Sequence, residues 1–277
     1  KWGFNWFRTL ARLPQVNFKY CCDLIDANRE RVRQQFPTVQ TTSRIEDLIE
    51  DDELDAVVLA TSAPSHYTLA KRLLEAGKHL MVEKPLTLAT SEAEELNRIA
   101  AKNNCTLMVG HLLEYHPATL YIQSMIEKGE LGDIHYLYSQ RLNLGTIRRD
   151  ENAWWSLAPH DISVACRLYG AEPRSVQCRG QCVVQKSTAD VVFSTLAFDS
   201  GRLAHIHVSW LDPHKTRKLT LVGSKRMVSW DDTLPTYQVT VYDKGFKLKD
   251  RFESFSDWTS VHQGDEIIPQ IESGELR

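Results

Sequence analysis

The feature that most constrains this chain is a recurrence in its N-terminal part: a short apolar run, an abrupt polar exit, then a segment with helical spacing. Leu54-Asp55-Ala56-Val57-Val58-Leu59-Ala60 gives way to Thr61-Ser62-Ala63-Pro64-Ser65-His66, Leu80-Met81-Val82 to Glu83-Lys84-Pro85, and Thr106-Leu107-Met108-Val109 to Gly110-His111. Near-continuous apolar runs are what strands buried on both faces of a parallel sheet require. The helical patterns lie between them, at residues 67–76, stopped by the C-cap signal Gly77, and at residues 91–103. Strand, exit and helix in alternation predict an α/β fold with a Rossmann-type doubly wound parallel sheet. All the exits then share one sheet edge, where ligands bind in such folds.

The residues before the first of these runs read as half of the same unit. Residues 17–23 form a strand pattern ending in Asp23, and an Arg- and Glu-rich helix pattern covers residues 28–36. Gly3 and Asp23 stand twenty positions apart, the spacing between the glycine turn of a dinucleotide fold and the acid that grips the adenosine ribose. The expectation is a chain beginning a few residues late, its first strand and first glycines lying upstream of Lys1. After His111 the rhythm changes. A helix starts at His116-Pro117, residues 134–142 alternate as a strand, and a second helix is expected over residues 158–169. Short strand patterns follow at 191–198 and 203–210, around the turn Asp199-Ser200-Gly201-Arg202, and then at 218–222, 227–230 and 237–242. The predicted division is a dinucleotide-binding domain, residues 1–110, and an α+β domain with an open antiparallel sheet, residues 111–277.

Composition narrows the functional classes. A formal net charge of -3 over 277 residues gives no electrostatic case for nucleic acid or an anionic membrane. No apolar run is long enough to span a bilayer and the first residues lack a signal-peptide pattern, so a cytoplasmic protein is expected. The six cysteines form no C-x-x-C pair and read as reduced, buried thiols. Cys178 and Cys182 with His205 and His207 could be pressed into a metal site, but strand alternation explains them better and no metal is expected.

Taken together, several motifs carry a resemblance over essentially the whole length. Trp2-Gly3-x-Asn5, Asp23, the loop from Thr61 to His66, Glu83-Lys84-Pro85, Gly110-His111 with Tyr115-His116-Pro117, and Pro159-His160-Asp161 occur in this order. In them the chain resembles the Gfo/Idh/MocA family of nicotinamide-dependent oxidoreductases. Residues 143–161 and 209–218 are similar to the nucleotide-sugar 3-dehydrogenases that oxidise UDP-N-acetylglucosaminuronate. Two departures stand out: Thr61-Ser62 replaces the usual Thr-Pro of the cofactor loop, with proline delayed to Pro64, and the family's C-terminal helix does not follow. The resemblance implies NAD as cofactor, held by Trp2, Gly3, Asp23, Thr61, Ser62, His66, Glu83 and Lys84. It implies a nucleotide-sugar substrate met by Tyr115, Arg141, Asn143, Arg148, Asp161 and Arg217, and a homo-oligomer, dimer or tetramer. A free sugar, inositol or other nucleotide sugar as substrate, or a non-catalytic NAD-binding protein, are the competing readings.

Oxidising a secondary alcohol needs a hydride acceptor above the carbon and a base within reach of the hydroxyl. His160 is the candidate base. Pro159 suits the first position of a helix, whose positive end would favour the neutral imidazole. Lys84, where a buried strand ends, is placed to stabilise the developing alkoxide; lowering the base's pKa or relaying the proton fits the sequence equally well. A carboxylate at Asp23 bonds a ribose 2′-hydroxyl and repels a 2′-phosphate, which favours NAD over NADP. Guanidinium groups suit the diphosphate or carboxylate of a nucleotide sugar.

Overall fold

The computed structural model describes residues 3–149, 151–236, 238–248 and 259–271, so the expected cofactor residue Trp2 lies outside it. The chain forms two compact units, Lys1–Gly110 and His111–Arg277. No helix among the described residues is long and apolar enough to cross a membrane.

The first unit alternates as its sequence demands: α1 (Gly3–Leu10), β1 (Tyr20–Cys22), α2 (Asp26–Gln35), β2 (Gln40–Thr42), α3 (Glu46–Ile49), β3 (Ala56–Leu59), α4 (Ala63–Glu75), β4 (His79–Val82), α5 (Thr90–Lys102) and β5 (Leu107–Val109). Every strand pair is parallel, in the orders β1-β2 and β3-β4-β5. The single sheet expected from sequence is therefore present as two parallel pieces. Leu59, Leu80 and Val82 from the strands meet Ala70, Leu73, Leu74 and Leu96 from α4 and α5 in one buried cluster. Truncating a leucine of this kind to alanine costs about 2–5 kcal/mol. A second, aromatic cluster packs Phe4, Phe7, Phe18 and Phe36 on Cys21, Val32 and Val39, which fixes α1 over the first piece of sheet.

Gly77 ends α4 as its position predicts. At φ 77° it lets Gly77 N–H reach the Leu74 carbonyl and Lys78 N–H reach that of Leu73, two carbonyls the helix end would otherwise leave unpaired. The chain thus turns directly into β4.

The second unit opens with a 3₁₀ turn (Leu112–Tyr115), then α6 (Pro117–Glu127), β6 (Ile134–Leu144), α7 (Ala153–Tyr169), β7 (Ser175–Gln181), β8 (Val191–Ala197), β9 (Leu203–Ser209), β10 (Leu211–Gly223), β11 (Met227–Asp231), β12 (Val239–Leu248) and β13 (Thr259–Ile267). The eight strands of its sheet run in the order β13-β12-β11-β10-β6-β9-β8-β7. The sheet is antiparallel except where β6 and β9 run parallel, a departure from the purely antiparallel expectation. It arises because the chain leaves β6 through the long α7 crossover rather than a hairpin. One sheet face carries Leu137, Ile206 and Leu221 into a core with Ile122, Met125, Val164 and Leu168. Residues of the opposite face, Tyr136, Tyr138, Phe193 and Leu203, are exposed.

Two sequence expectations are corrected here. Helix α7 begins at Ala153 rather than near Ala158, with Asn152 as its cap: the Asn152 side chain accepts from Trp155 N–H at 3.0 Å. Of the thiols expected to be buried, Cys21 is buried, Cys22, Cys105 and Cys166 are partly buried, and Cys178 and Cys182 are exposed; every residue of β7, which carries Cys178, is exposed, and Cys182 follows its last residue.

Candidate functional site

In the first unit the candidate residues collect on the carboxyl edge of the parallel strands, where each strand hands over to its exit. Asp23 follows β1 directly. Its Oδ1 accepts from Ile25 N–H at 2.8 Å and its Oδ2 from the Asn28 amide at 2.9 Å, so the carboxylate is fixed. Arg29 donates to the Asp23 main-chain carbonyl at 2.6 Å and to Asp26 at 2.8 Å; its charge is committed locally.

At the exit of β3, Ser65 Oγ lies 2.8 Å from both Thr61 Oγ1 and the Ser62 carbonyl, holding the loop against the first turn of α4. Pro64 starts that turn, where its missing N–H costs nothing. At the exit of β4 stand Glu83, Lys84 and Pro85. Glu83 is 7% exposed and accepts from the Trp6 indole at 2.7 Å, which ties α1 to this edge. A side chain at Gly110 would press on that carboxylate, its Cβ lying 3.3 Å from Oε2. The Lys84-Pro85 bond is cis. His66, read from sequence as part of the exit loop, sits instead inside α4 and is buried. Its ring nitrogens face the carbonyls of Pro85, at 2.8 Å, and Thr61, at 3.1 Å, rather than an open edge.

This edge fits a dinucleotide by the chemistry of its groups. A helix N-terminus at Gly3 suits a diphosphate, the Thr61 and Ser62 hydroxyls offer donors, and the Asp23 carboxylate offers acceptors for ribose hydroxyls.

In the second unit, His160 stands in the interior of α7. Pro159 is not the first residue of the helix, as the sequence suggested, but lies in its middle. There it has no N–H for the Trp155 carbonyl, and the helix-end dipole, confined to the terminal turns, does not act on His160. The neighbouring Asp161 is 4% exposed. It accepts from Ser139 Oγ at 2.5 Å and from Arg141 at 2.8 and 3.3 Å. Burial works against the Arg141 charge, but the Asp161 carboxylate overcomes it and the guanidinium pKa is raised.

Arg141 on β6 pairs across the sheet with Arg217 on β10. Like charges directly opposite repel, and each is offset by its own carboxylate: Arg217 lies 3.4 Å from Asp232. Asp232 is also 3.9 Å from His116 Nε2, and the His116 ring lies over Trp230 with centroids 4.8 Å apart. The result is a continuous polar run from Trp230 through His116, Asp232, Arg217 and Arg141 to Asp161, beside His160. Arg148 is separately paired with Glu151 at 2.6 Å. Asn143 shares this segment of β6, its amide against Gly145. Tyr115 is exposed at the end of the 3₁₀ turn.

Sequence reasoning missed Ser139, Asp232 and Trp230 in this run. Ser139 carried a signal, being a small polar residue at a core position of a strand two places before Arg141. Asp232 carried none, because its partner is distant in the chain.

Parallel strands with polar exits at their carboxyl ends, followed by an α+β unit built on one large sheet, are the architecture of a nicotinamide-dependent oxidoreductase. Residues 10–111 match the profile described as an oxidoreductase family with an NAD-binding Rossmann fold, and residues 119–229 match the Gfo/Idh/MocA C-terminal domain. The chain belongs to the Gfo/Idh/MocA family. It is 30% identical over 180 residues to UDP-N-acetylglucosamine 3-dehydrogenase of Acidithiobacillus ferrooxidans, covering 65% of this chain and 56% of that one. It is 26% identical over 255 residues to the uncharacterized oxidoreductase YrbE of Bacillus subtilis, covering 88% and 74% of the two. The crystal structure of the Acidithiobacillus ferrooxidans enzyme, GnnA, superposes with TM-score 0.77 at 24% identity over 98% of this chain and 82% of that one. The WlbA dehydrogenase of Bordetella pertussis, solved with NADH and UDP-GlcNAcA, superposes with TM-score 0.75 at 18% identity over 83% and 70%. At these identities the structural likenesses speak to the fold.

Proposed function

We propose that the protein oxidises a secondary hydroxyl, that on C3, of a nucleotide sugar such as UDP-N-acetylglucosaminuronate, passing the hydride to NAD. The observation that carries this reading is the position of Lys84, two residues past the last residue of β4 in the NAD-binding unit and between the buried residues Glu83 and Pro85. The bound nicotinamide supplies the hydride acceptor. His160 takes the hydroxyl proton as the C–H bond breaks. The Lys84 ammonium donates a hydrogen bond to the oxygen as it gains negative charge, a contribution whose loss is worth about 2.7–4 kcal/mol in comparable oxyanion sites. Asp161, held by Arg141 and Ser139, fixes the turn of α7 that bears His160. Tyr115, Asn143, Arg148 and Arg217 are the residues proposed to meet the sugar and its diphosphate. Reduced thiols and a nucleotide-sugar substrate accord with a cytoplasmic enzyme. The exposed sheet face bearing Tyr136, Tyr138 and Phe193 is the surface proposed to join copies of the chain.

A second reading, a polyol or neutral sugar as substrate, is favoured by the charge balance in the second unit. Arg141, Arg148 and Arg217 each have a carboxylate partner, and relatives at 26% and 25% identity are scyllo-inositol 2-dehydrogenases of Bacillus subtilis. Steady-state reduction of NAD with UDP-N-acetylglucosaminuronate, UDP-N-acetylglucosamine and scyllo-inositol side by side tests both. The first reading expects the highest kcat/KM with a nucleotide sugar; a preference for the inositol would overturn it.

A further inference from the structure

The buried histidine of α4 is unusual in what it touches. His66 is 1% exposed, among the largest fully buried side chains of the chain. Leaving an imidazole in such a place without partners costs about 1–3 kcal/mol. Both its nitrogens have partners, and both partners are main-chain carbonyls in loops. Nδ1 meets Pro85 O at 2.8 Å and Nε2 meets Thr61 O at 3.1 Å. A carbonyl only accepts, so each contact draws on a ring hydrogen; the neutral ring has one and the imidazolium two. The two loops are the exits of β3 and β4, which carry Thr61 and Ser62 on one side and Glu83 and Lys84 on the other. Strand pairing joins β3 to β4 only as far as Leu59 and Val82, with Glu83 N–H reaching Leu59 O at 2.9 Å. Beyond that point the ladder ends. His66 lies within hydrogen-bond distance of a main-chain carbonyl of each exit.

We propose that His66 is a positioning residue: a clasp that couples the cofactor loop at Thr61 to the turn bearing Lys84, so that nucleotide binding and placement of the ammonium depend on one side chain. It makes no contact with substrate in this role; it acts through the two carbonyls. The kinetic part of the test rests on the proposed role of Lys84, whereas the exchange and binding parts do not.

The two arms can be separated by substitution. An asparagine amide nitrogen stands near the place of Nδ1 and a glutamine amide nitrogen near that of Nε2, so His66→Asn preserves the Pro85 arm and His66→Gln the Thr61 arm. Amide hydrogen exchange on the full chain, read in peptides covering residues 59–66 and 83–90, should then divide. His66→Asn should speed exchange at the Thr61 loop alone and raise the Kd for NAD about tenfold. His66→Gln should speed exchange at the Lys84 turn alone, leave the Kd within about twofold and lower kcat about tenfold. Tenfold corresponds to about 1.4 kcal/mol, the scale of one hydrogen bond. His66→Phe should open both segments. If the Asn and Gln variants loosen both peptides equally, or neither, His66 is an ordinary core residue and the clasp is refuted. A wild-type protein that shows no turnover would count against the proposed reaction and leave the exchange and binding outcomes to decide the clasp.

Discussion

Arg141 and Asp161 compensate each other inside the second unit, with side chains 11% and 6% exposed. Removing one half of such a pair leaves a buried charge without compensation. Arg141→Leu should therefore destabilise the protein by about 3–5 kcal/mol in urea unfolding, whereas the double variant Arg141→Leu with Asp161→Leu should recover most of that loss. A double variant no more stable than the single one would show that the pair does not act as a unit. Asp23 gives a prediction about the cofactor. Its carboxylate is held by Ile25 and Asn28 at the end of β1. Replacing it with serine should raise KM for NAD roughly tenfold and improve NADP relative to NAD, since the repulsion of a 2′-phosphate is removed. An unchanged NAD/NADP ratio would take Asp23 out of the ribose site. At this scale the place of a residue at a strand end was legible in the sequence, as for Asp23 after β1 and Lys84 after β4. Pairings such as Arg217 with Asp232 were not, because they are made by the register of β10 on β11 rather than by neighbours in sequence.

Among the elements, α6 shows how a cap can sense pH. His116 is its N-cap, Nδ1 accepting from Ala118 N–H at 3.1 Å, a bond that requires an unprotonated nitrogen. Burial pushes the His116 imidazole down from its ordinary value of about 6.5, with Asp232 opposing. The unfolded chain therefore takes up this proton first as the pH falls, so the contribution to stability is complete above about pH 6.5 and is lost progressively below it. His116→Asn keeps a capping acceptor without the titration. Its urea midpoint should fall less between pH 7.5 and 5.5 than that of the wild type, and an identical fall would exclude His116 as the source. The apolar strands β3 and β4 and the helices α4 and α5 could be read from sequence because both faces of a buried parallel strand are apolar and its ends are abrupt. Other features could not, among them the short β2 and α3 and the exposed β7. β13 is polar along much of its length and is recruited by hydrogen bonding to β12. The start of α7 was hidden because Pro159 is a strong helix-start signal that here falls in a helix interior, while the true signal was the quieter Asn152 cap.

For the molecule as a whole, the first unit's family profile and the fixed groups of its strand edge make NAD a stabilising ligand. At a concentration one hundred times Kd it should add about 2.7 kcal/mol to the stability of the unit that binds it, seen as a rise in Tm of the corresponding transition. No shift would mean that this edge does not hold the cofactor. The parallel architecture was evident from alternation alone, whereas the division of the sheet into two pieces and the parallel β6 and β9 pair depend on pairings that local patterns do not encode. The central claim is that Lys84 and His160 serve one oxidation. The most direct test is the formation of NADH by wild-type protein supplied with NAD and UDP-N-acetylglucosaminuronate, beside Lys84→Met and His160→Asn under the same conditions. Turnover by the wild type, with kcat reduced about 10²- to 10³-fold in each variant and the Kd for NAD within a few-fold, is the expected result. Wild-type turnover that persists undiminished in both variants would contradict it.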